Sequence, residues 1–247
     1  MKRVLILGGT GDAAELATRA AQIPEIEVIS SLAGRTQNPT NPGGTVRVGG
    51  FGGAAGLADY LRDRQIHLLI DATHPFAAQI TWNAAAAAAA VGIPHLMLIR
   101  PAWEKTAGDR WIEVQTNAIA ATVLLAPRIF LTIGRQELSA FAHQSDRWFL
   151  MRMIDPPALD AVVPNGKILL ERGPFNLVDE RALLQNYDIR AIVSKNSGGD
   201  ATYAKIVAAR ELKIPVVMVQ RPIMPMGEVA TQVEEAVSWI ISQPKML

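Results

Sequence analysis

The chain has no cysteine among its 247 residues. That excludes disulfides, a thiolate nucleophile and every cysteine-based metal site. Histidine is scarce as well: His67, His74, His95 and His143 stand apart without metal-ligand spacing, so no metal is expected. No apolar run reaches the ~18 residues that span a bilayer, and the N-terminus runs into a strand with no signal-peptide pattern. The expectation is a soluble, cytoplasmic protein that engages no membrane. With 19% charged residues and a net charge of +1, the chain lacks both the basic stripe of a nucleic-acid binder and an acidic tail. Several catalytic signatures are missing too. There is no G-x-x-x-x-G-K-[ST] phosphate loop and no G-x-S-x-G elbow. Tyr60, Tyr187 and Tyr203 are followed four residues later by Arg64, Ala191 and Val207, so no Tyr-x-x-x-Lys pair of a short-chain dehydrogenase exists.

What is present is an alternation of strand and helix. Apolar runs predict strands over 3–7, 27–32, 45–48, 67–72, 95–99, 111–115, 129–133, 148–153, 167–171, 191–194 and 216–220. Several are apolar on both faces, as buried parallel strands are. Helical stretches are expected over 12–22, 55–64, 77–91, 118–125, 178–187, 201–212 and 228–242. The alanine run 84–90 reads as good helix former with small side chains lying close to a sheet. Strand and helix in turn imply βαβ units with right-handed crossovers. The stretch 100–109, with Pro101 and Gly108, reads as a connection. The expected fold is therefore α/β: two Rossmann-like domains with parallel sheets, 1–101 and 102–247, facing each other across a cleft.

Ligands of open α/β sheets bind beyond the carboxyl ends of the strands. The first such end is Gly8-Gly9-Thr10-Gly11-Asp12-Ala13-Ala14, in which residues 9–14 fit the G-x-G-x-x-A dinucleotide fingerprint. The helix after it directs N–H groups and a positive dipole end at a pyrophosphate. Where an NAD enzyme carries an acid for the ribose, this chain reads Ser30-Ser31-Leu32-Ala33-Gly34-Arg35; an arginine there suits the 2′-phosphate of NADP. Val48-Gly49-Gly50-Phe51-Gly52-Gly53 permits close backbone approach and offers Phe51 to a flat ring. Asp71-Ala72-Thr73-His74-Pro75-Phe76-Ala77 falls near the expected nicotinamide end. Later strand ends place Arg135, Arg152, Arg172, Lys195 and Arg221 in a nearly neutral chain, which suggests an anionic ligand held by guanidinium groups. Ser197-Gly198-Gly199 offers a further anion nest at the start of the helix expected from 201. These residues by themselves leave three readings open: a reductase delivering hydride from NADPH, a non-catalytic NADP-binding sensor, and a nucleotide-sugar-dependent transferase.

Taken together, residues 8–13, 49–52, 71–77, Ile133-Gly134-Arg135, Glu171-Arg172-Gly173-Pro174-Phe175 and Ser194-Lys195-Asn196-Ser197-Gly198-Gly199 resemble the precorrin-6A reductases of cobalamin biosynthesis, a family that includes the cobalt-precorrin-6A reductases. The resemblance runs in order from residue 1 to about 240, leaving 36–44 unmatched. It implies an NADPH-dependent reduction of one macrocycle double bond, with hydride to C19 and a proton to C18, giving precorrin-6B. In that reading Gly9, Thr10, Gly11, Asp12, Ala13, Gly34, Arg35, Gly50, Phe51 and Thr73 hold the cofactor. Arg135, Arg172, Lys195, Asn196, Ser197, Gly198 and Gly199 meet the carboxylates of the tetrapyrrole; His74, Asp71 and Lys195 are the side-chain candidates for the proton donor, with ordered water or the substrate's own carboxyl groups as the alternatives.

Overall fold

Val4, Leu5, Ile6 and Leu7 are apolar without alternation, and all four are buried. A strand covered on both faces must lie inside a parallel sheet, and β1 (Lys2–Leu7) does so, flanked by β2 (Ile26–Leu32) and β4 (Leu68–Asp71). The structure, a computed structural model, describes residues 1–34 and 43–244. It divides into two units: Met1–Pro101 with Pro222–Leu247, and Ala102–Arg221.

The first unit continues through α1 (Gly11–Ala20), β3 (Thr45–Val48), α2 (Gly53–Asp63), α3 (Ala78–Val91) and β5 (His95–Leu98). Buried Ala84, Ala87 and Ala88 recur at helical spacing along the inner face of α3, so the alanine run packs as expected. The second unit runs through β6 (Trp111–Val114), α4 (Asn117–Val123), β7 (Arg128–Thr132), a 3-10 helix (Arg135–Phe141), β8 (Trp148–Met153), β9 (Gly166–Leu170), α5 (Leu177–Asn186), β10 (Ala191–Lys195), α6 (Ala204–Glu211) and β11 (Val216–Val219).

Two expectations need correction at the C-terminus. The domain expected over 102–247 ends at Arg221, and the helix expected over 228–242 is a strand followed by a helix. Glu228-Val229-Ala230 form β12 (Glu228–Ala230), parallel to Leu96-Met97-Leu98 of β5, and only then does α7 (Val233–Ser242) begin. The physical reason is burial. Ala230, Val233, Ala236 and Ile240 complete the same apolar cluster as Val4, Ile6, Leu16 and Leu96, which the first unit leaves uncovered without them. Nothing local in the sequence states which sheet a late segment will cover.

Among the described residues each unit holds one six-stranded parallel sheet. The orders are β12-β5-β4-β1-β2-β3 and β6-β11-β10-β7-β8-β9. The first follows the 3-2-1-4-5-6 arrangement of doubly wound folds with β12 as its sixth strand; the second repeats 3-2-1-4-5 over β7–β11, and its outermost strand is β6, the first of that unit in chain order. The order reverses between β1 and β4 in the first unit, and between β7 and β10 in the second. Connections leave these paired strands in opposite directions, which opens a crevice at their carboxyl ends. The loops at those two switch points are where chemistry is expected.

Candidate active site

The first switch point joins residues 8–13 to residues 71–77. Gly8 lies against its neighbours at ordinary contact distance: a Cβ there would stand 3.4 Å from Leu32 Cδ2 and 3.5 Å from Ala13 Cβ. Gly9 has φ +112° and nothing within 4 Å of where a Cβ would be, so its conformation favours glycine and the space beside it is open. Thr10 caps α1. Its Oγ1 accepts from the Ala13 N–H at 3.1 Å and donates to the Ala72 carbonyl at 2.8 Å, so one hydroxyl ties the two loops together across the crevice. Asp12 lies in the first turn of α1, where an uncompensated acid would repel a phosphate. Arg100 Nη1 pairs with it at 2.9 Å and offsets that charge. The residues present therefore fit a dinucleotide: an open glycine, a capped helix N-terminus and a neutralised acid.

Asp71 is buried, and its Oδ1 accepts both the Thr73 N–H at 3.0 Å and the Thr73 hydroxyl at 2.6 Å. Thr73 thus serves Asp71 as a brace. His74 Nδ1 accepts from the Phe76 N–H at 3.2 Å, which puts the proton of the neutral ring on Nε2. His95, at the start of β5, is an interior residue: burial lowers its pKa against the opposing pull of Asp71, and its Nε2 has no hydrogen-bond partner.

Arg35 lies outside the described residues. Gly34 beside it has φ +71°, with a prospective Cβ 3.2 Å from Val48. Phe51 does not present both faces to a ligand. The guanidinium of Arg47 lies 3.7 Å from its ring centroid and donates to Ser31 Oγ (3.2 Å), the Gly49 carbonyl (2.6 Å) and the Gly50 carbonyl (2.7 Å). Arg47 therefore shapes the glycine loop, a role the sequence reading missed. The β2–β3 register, which only the structure gives, sets Arg47 beside Ser31.

The second switch point joins residues 132–136 to residues 194–199. Gly134, at φ +88°, turns the chain into the 3-10 helix. Arg135 Nη1 donates to the Pro156 carbonyl at 2.8 Å, and Lys195 Nζ pairs with Glu137 at 3.3 Å. Arg172 is exposed on the loop after β9. Asn196 is buried, with both polar atoms of its amide bonded to Trp103: Oδ1 accepts from the Trp103 N–H at 2.8 Å and Nδ2 donates to the Trp103 carbonyl at 3.0 Å. The Trp103 indole in turn donates to the Gly199 carbonyl at 2.8 Å. Asn196 thus braces the loop through its side chain. Trp103 is another residue the sequence reading missed, because its partners are more than ninety positions away.

The five-cation cluster is corrected by burial. Arg152 is inside the unit, in a bidentate pair with Glu180, and Arg221 donates to the Asn196 and Ser197 carbonyls at 2.9 and 3.1 Å. Both are internal ties, which leaves Arg135, Arg172 and Lys195 at the strand-end loops. The helix expected from 201 begins at Ala204, so residues 197–199 do not abut its N-terminus; a turn over 200–203 intervenes. Gly198 and Gly199 both take positive φ, at +68° and +73°. Lys205, in α6, is buried with Nζ donating to the Thr202 carbonyl at 2.7 Å and 4.7 Å from the Trp103 ring. Burial pushes its pKa down to about 7, with the charge of Arg152 adding to the effect and Glu180 opposing it.

Comparison with known proteins agrees across the whole length. The model of the precorrin-6x reductase CbiJ/CobK family matches residues 3–241. A precorrin-6A reductase of Rhodococcus erythropolis is 51% identical over 97% of this chain and 98% of its own length. One of Mycobacterium tuberculosis (strain ATCC 25618 / H37Rv) is 45% identical over 99% of each. The solved structure of a CobK precorrin-6A reductase superposes with a TM-score of 0.91 at 40% identity, covering 98% of this chain and 96% of that one. With this fold, these two switch points and those relatives, the chain belongs to the precorrin-6x reductase family.

Proposed function

We propose that the chain reduces one double bond of precorrin-6A using NADPH held by the first unit, while the second unit takes the acetate and propionate groups of the macrocycle. Reductase activity on this tetrapyrrole follows from family membership, which sets aside the sensor and transferase readings. The observation that carries the cofactor assignment is the first switch point, where open Gly9 and the Thr10-capped helix face residues 71–77. NADPH, when bound, supplies the hydride. The chain's own residues orient and neutralise: the amides at the start of α1 meet the pyrophosphate, Arg100 neutralises Asp12, and Arg35 meets the 2′-phosphate. Gly50 approaches the cofactor through the backbone that Arg47 holds. Arg135, Arg172, Lys195 and the amides of 197–199 meet carboxylates, and local clustering lets a nearly neutral chain hold a polyanion. Asp71 is engaged as an acceptor by Thr73, so His74 and Lys195 are the side chains proposed to deliver the proton to C18, with ordered water or a substrate carboxyl group as the other sources.

Anaerobic incubation with precorrin-6A and NADPH should oxidise the cofactor and yield the dihydro product. Arg35→Glu should abolish the preference for NADPH over NADH, and a retained preference removes Arg35 from the assignment. His74→Ala and Lys195→Ala should between them slow turnover with both ligands still bound. Unchanged turnover in both removes them as proton donors.

A further inference from the structure

Arg152 is an expensive residue to bury, and its surroundings show what it holds. Its guanidinium forms a bidentate pair with Glu180 of α5 and lies 3.6 Å from Glu171 Oε2. It stands 3.6 Å from the centroid of the Phe175 ring and 4.9 Å from that of Phe130. Glu171 and Phe175 are the two ends of one loop, Glu171-Arg172-Gly173-Pro174-Phe175. Arg152 therefore grips that loop at both ends, by charge at one and by ring stacking at the other. The far end is fixed a second time, where the Phe175 N–H donates to the Ala201 carbonyl at 3.0 Å. Gly173 lies against the same carbonyl, 3.0 Å from where its Cβ would be. Between these anchors Arg172 and Pro174 are exposed, and Arg172 is the charged one.

We infer that Arg152, held by Glu180, is a positioning residue that sets the place of Arg172 for a substrate carboxylate. The inference rests on the reading above that Arg172 meets such a carboxylate. A buried ion pair is weak support for stability, since apolar residues of similar volume often replace one without loss. An aliphatic pair would also fill the interior here, but it could not hold Glu171 by charge or match a planar cation to the Phe175 face.

The test uses the full chain and measures KM for precorrin-6A, kcat, and the Kd of NADPH, with circular dichroism as a check of folding. Arg172→Ala should raise the substrate KM about tenfold while leaving the Kd of NADPH unchanged. The double substitution Arg152→Met with Glu180→Met removes both buried charges together, so that neither is orphaned, and should raise the same KM by about five- to tenfold. Phe175→Leu, on the loop itself, should raise it about threefold and serves if the double variant does not fold. Adding Arg172→Ala to either background should bring KM only to about the tenfold rise of Arg172→Ala alone, because the brace acts through Arg172. A merely structural role would instead give additive losses and would lower kcat and NADPH affinity together. A raised KM in Arg172→Ala with wild-type KM in both brace variants overturns the inference alone. A wild-type KM in Arg172→Ala overturns the carboxylate reading of that residue and the inference with it.

Discussion

The two switch points use glycine-rich loops of similar length for opposite ends. In the first unit the glycines clear space: Gly9 and Gly11 have nothing within 4 Å of a prospective Cβ, and Thr10 supplies a side-chain tie across the crevice. In the second unit the polar side chains are spent on bracing. Asn196 is consumed by Trp103, Trp103 by Gly199, and Arg221 by two carbonyls of the same loop. A nucleotide's pyrophosphate is met by backbone amides at a helix end, so its loop must be close and bare. A macrocycle with many carboxylates is met by long cationic side chains, and these need a rigid base because each loses much rotamer freedom when fixed. The difference between the loops follows from the chemistry each is proposed to meet.

The comparison breaks most visibly at Gly9. Gly9→Val places a β-branched side chain at φ +112° and in the open space. It should weaken NADPH binding about a hundredfold, equivalent to roughly 2.8 kcal/mol, with a smaller strain of about 1–3 kcal/mol in folding stability. Titration calorimetry and thermal unfolding read the two quantities; binding within a few-fold of wild type would show that the loop is not the nucleotide's.

The braced loop should behave in the reverse sense. Asn196→Ala orphans the backbone N–H and carbonyl of Trp103 in a buried setting and should destabilise the chain by about 2–4 kcal/mol in denaturant unfolding. Substrate KM should rise, while the Kd of NADPH stays put. Full stability in Asn196→Ala would mean that the loop is not held by this amide.

The last test concerns a buried cation of the second unit, Lys205, whose pKa lies near 7 in the fold against an ordinary 10.5. The unfolded chain binds the more protons between these values, so this group makes stability rise as pH increases from about 7 to about 10 and contributes no slope below that window. Lys205→Met should flatten that rise in the pH dependence of the thermal midpoint and raise stability at neutral pH. An unaltered slope would show that the ammonium is better solvated than its burial implies.

Much of the candidate site's local geometry was legible because its signals are local. The fingerprint over 9–14 works through one turn and one helix end, and Asp71-Ala72-Thr73-His74 closes its own hydrogen bonds within a few residues. Arg47 was missed because its register partner Ser31 sits in the neighbouring strand. Arg152 was misjudged for a different reason. A cation at the end of an apolar strand looks like surface chemistry until its acid is known, and Glu180 lies 28 positions away on a helix whose inner face cannot be assigned by periodicity alone.

The sequence by itself determined the βαβ alternation, the parallel sheets, the glycine-rich loop between β1 and α1 and the resemblance to a reductase family, because each depends on residues adjacent in the chain or on motifs in fixed order. Only the tertiary structure decided that the C-terminal segment returns to the first sheet as β12, and which cations serve the loops from within and which lie at their surface. Both questions turn on which apolar faces and which buried charges remain uncovered once the rest has folded, and no local pattern carries that information.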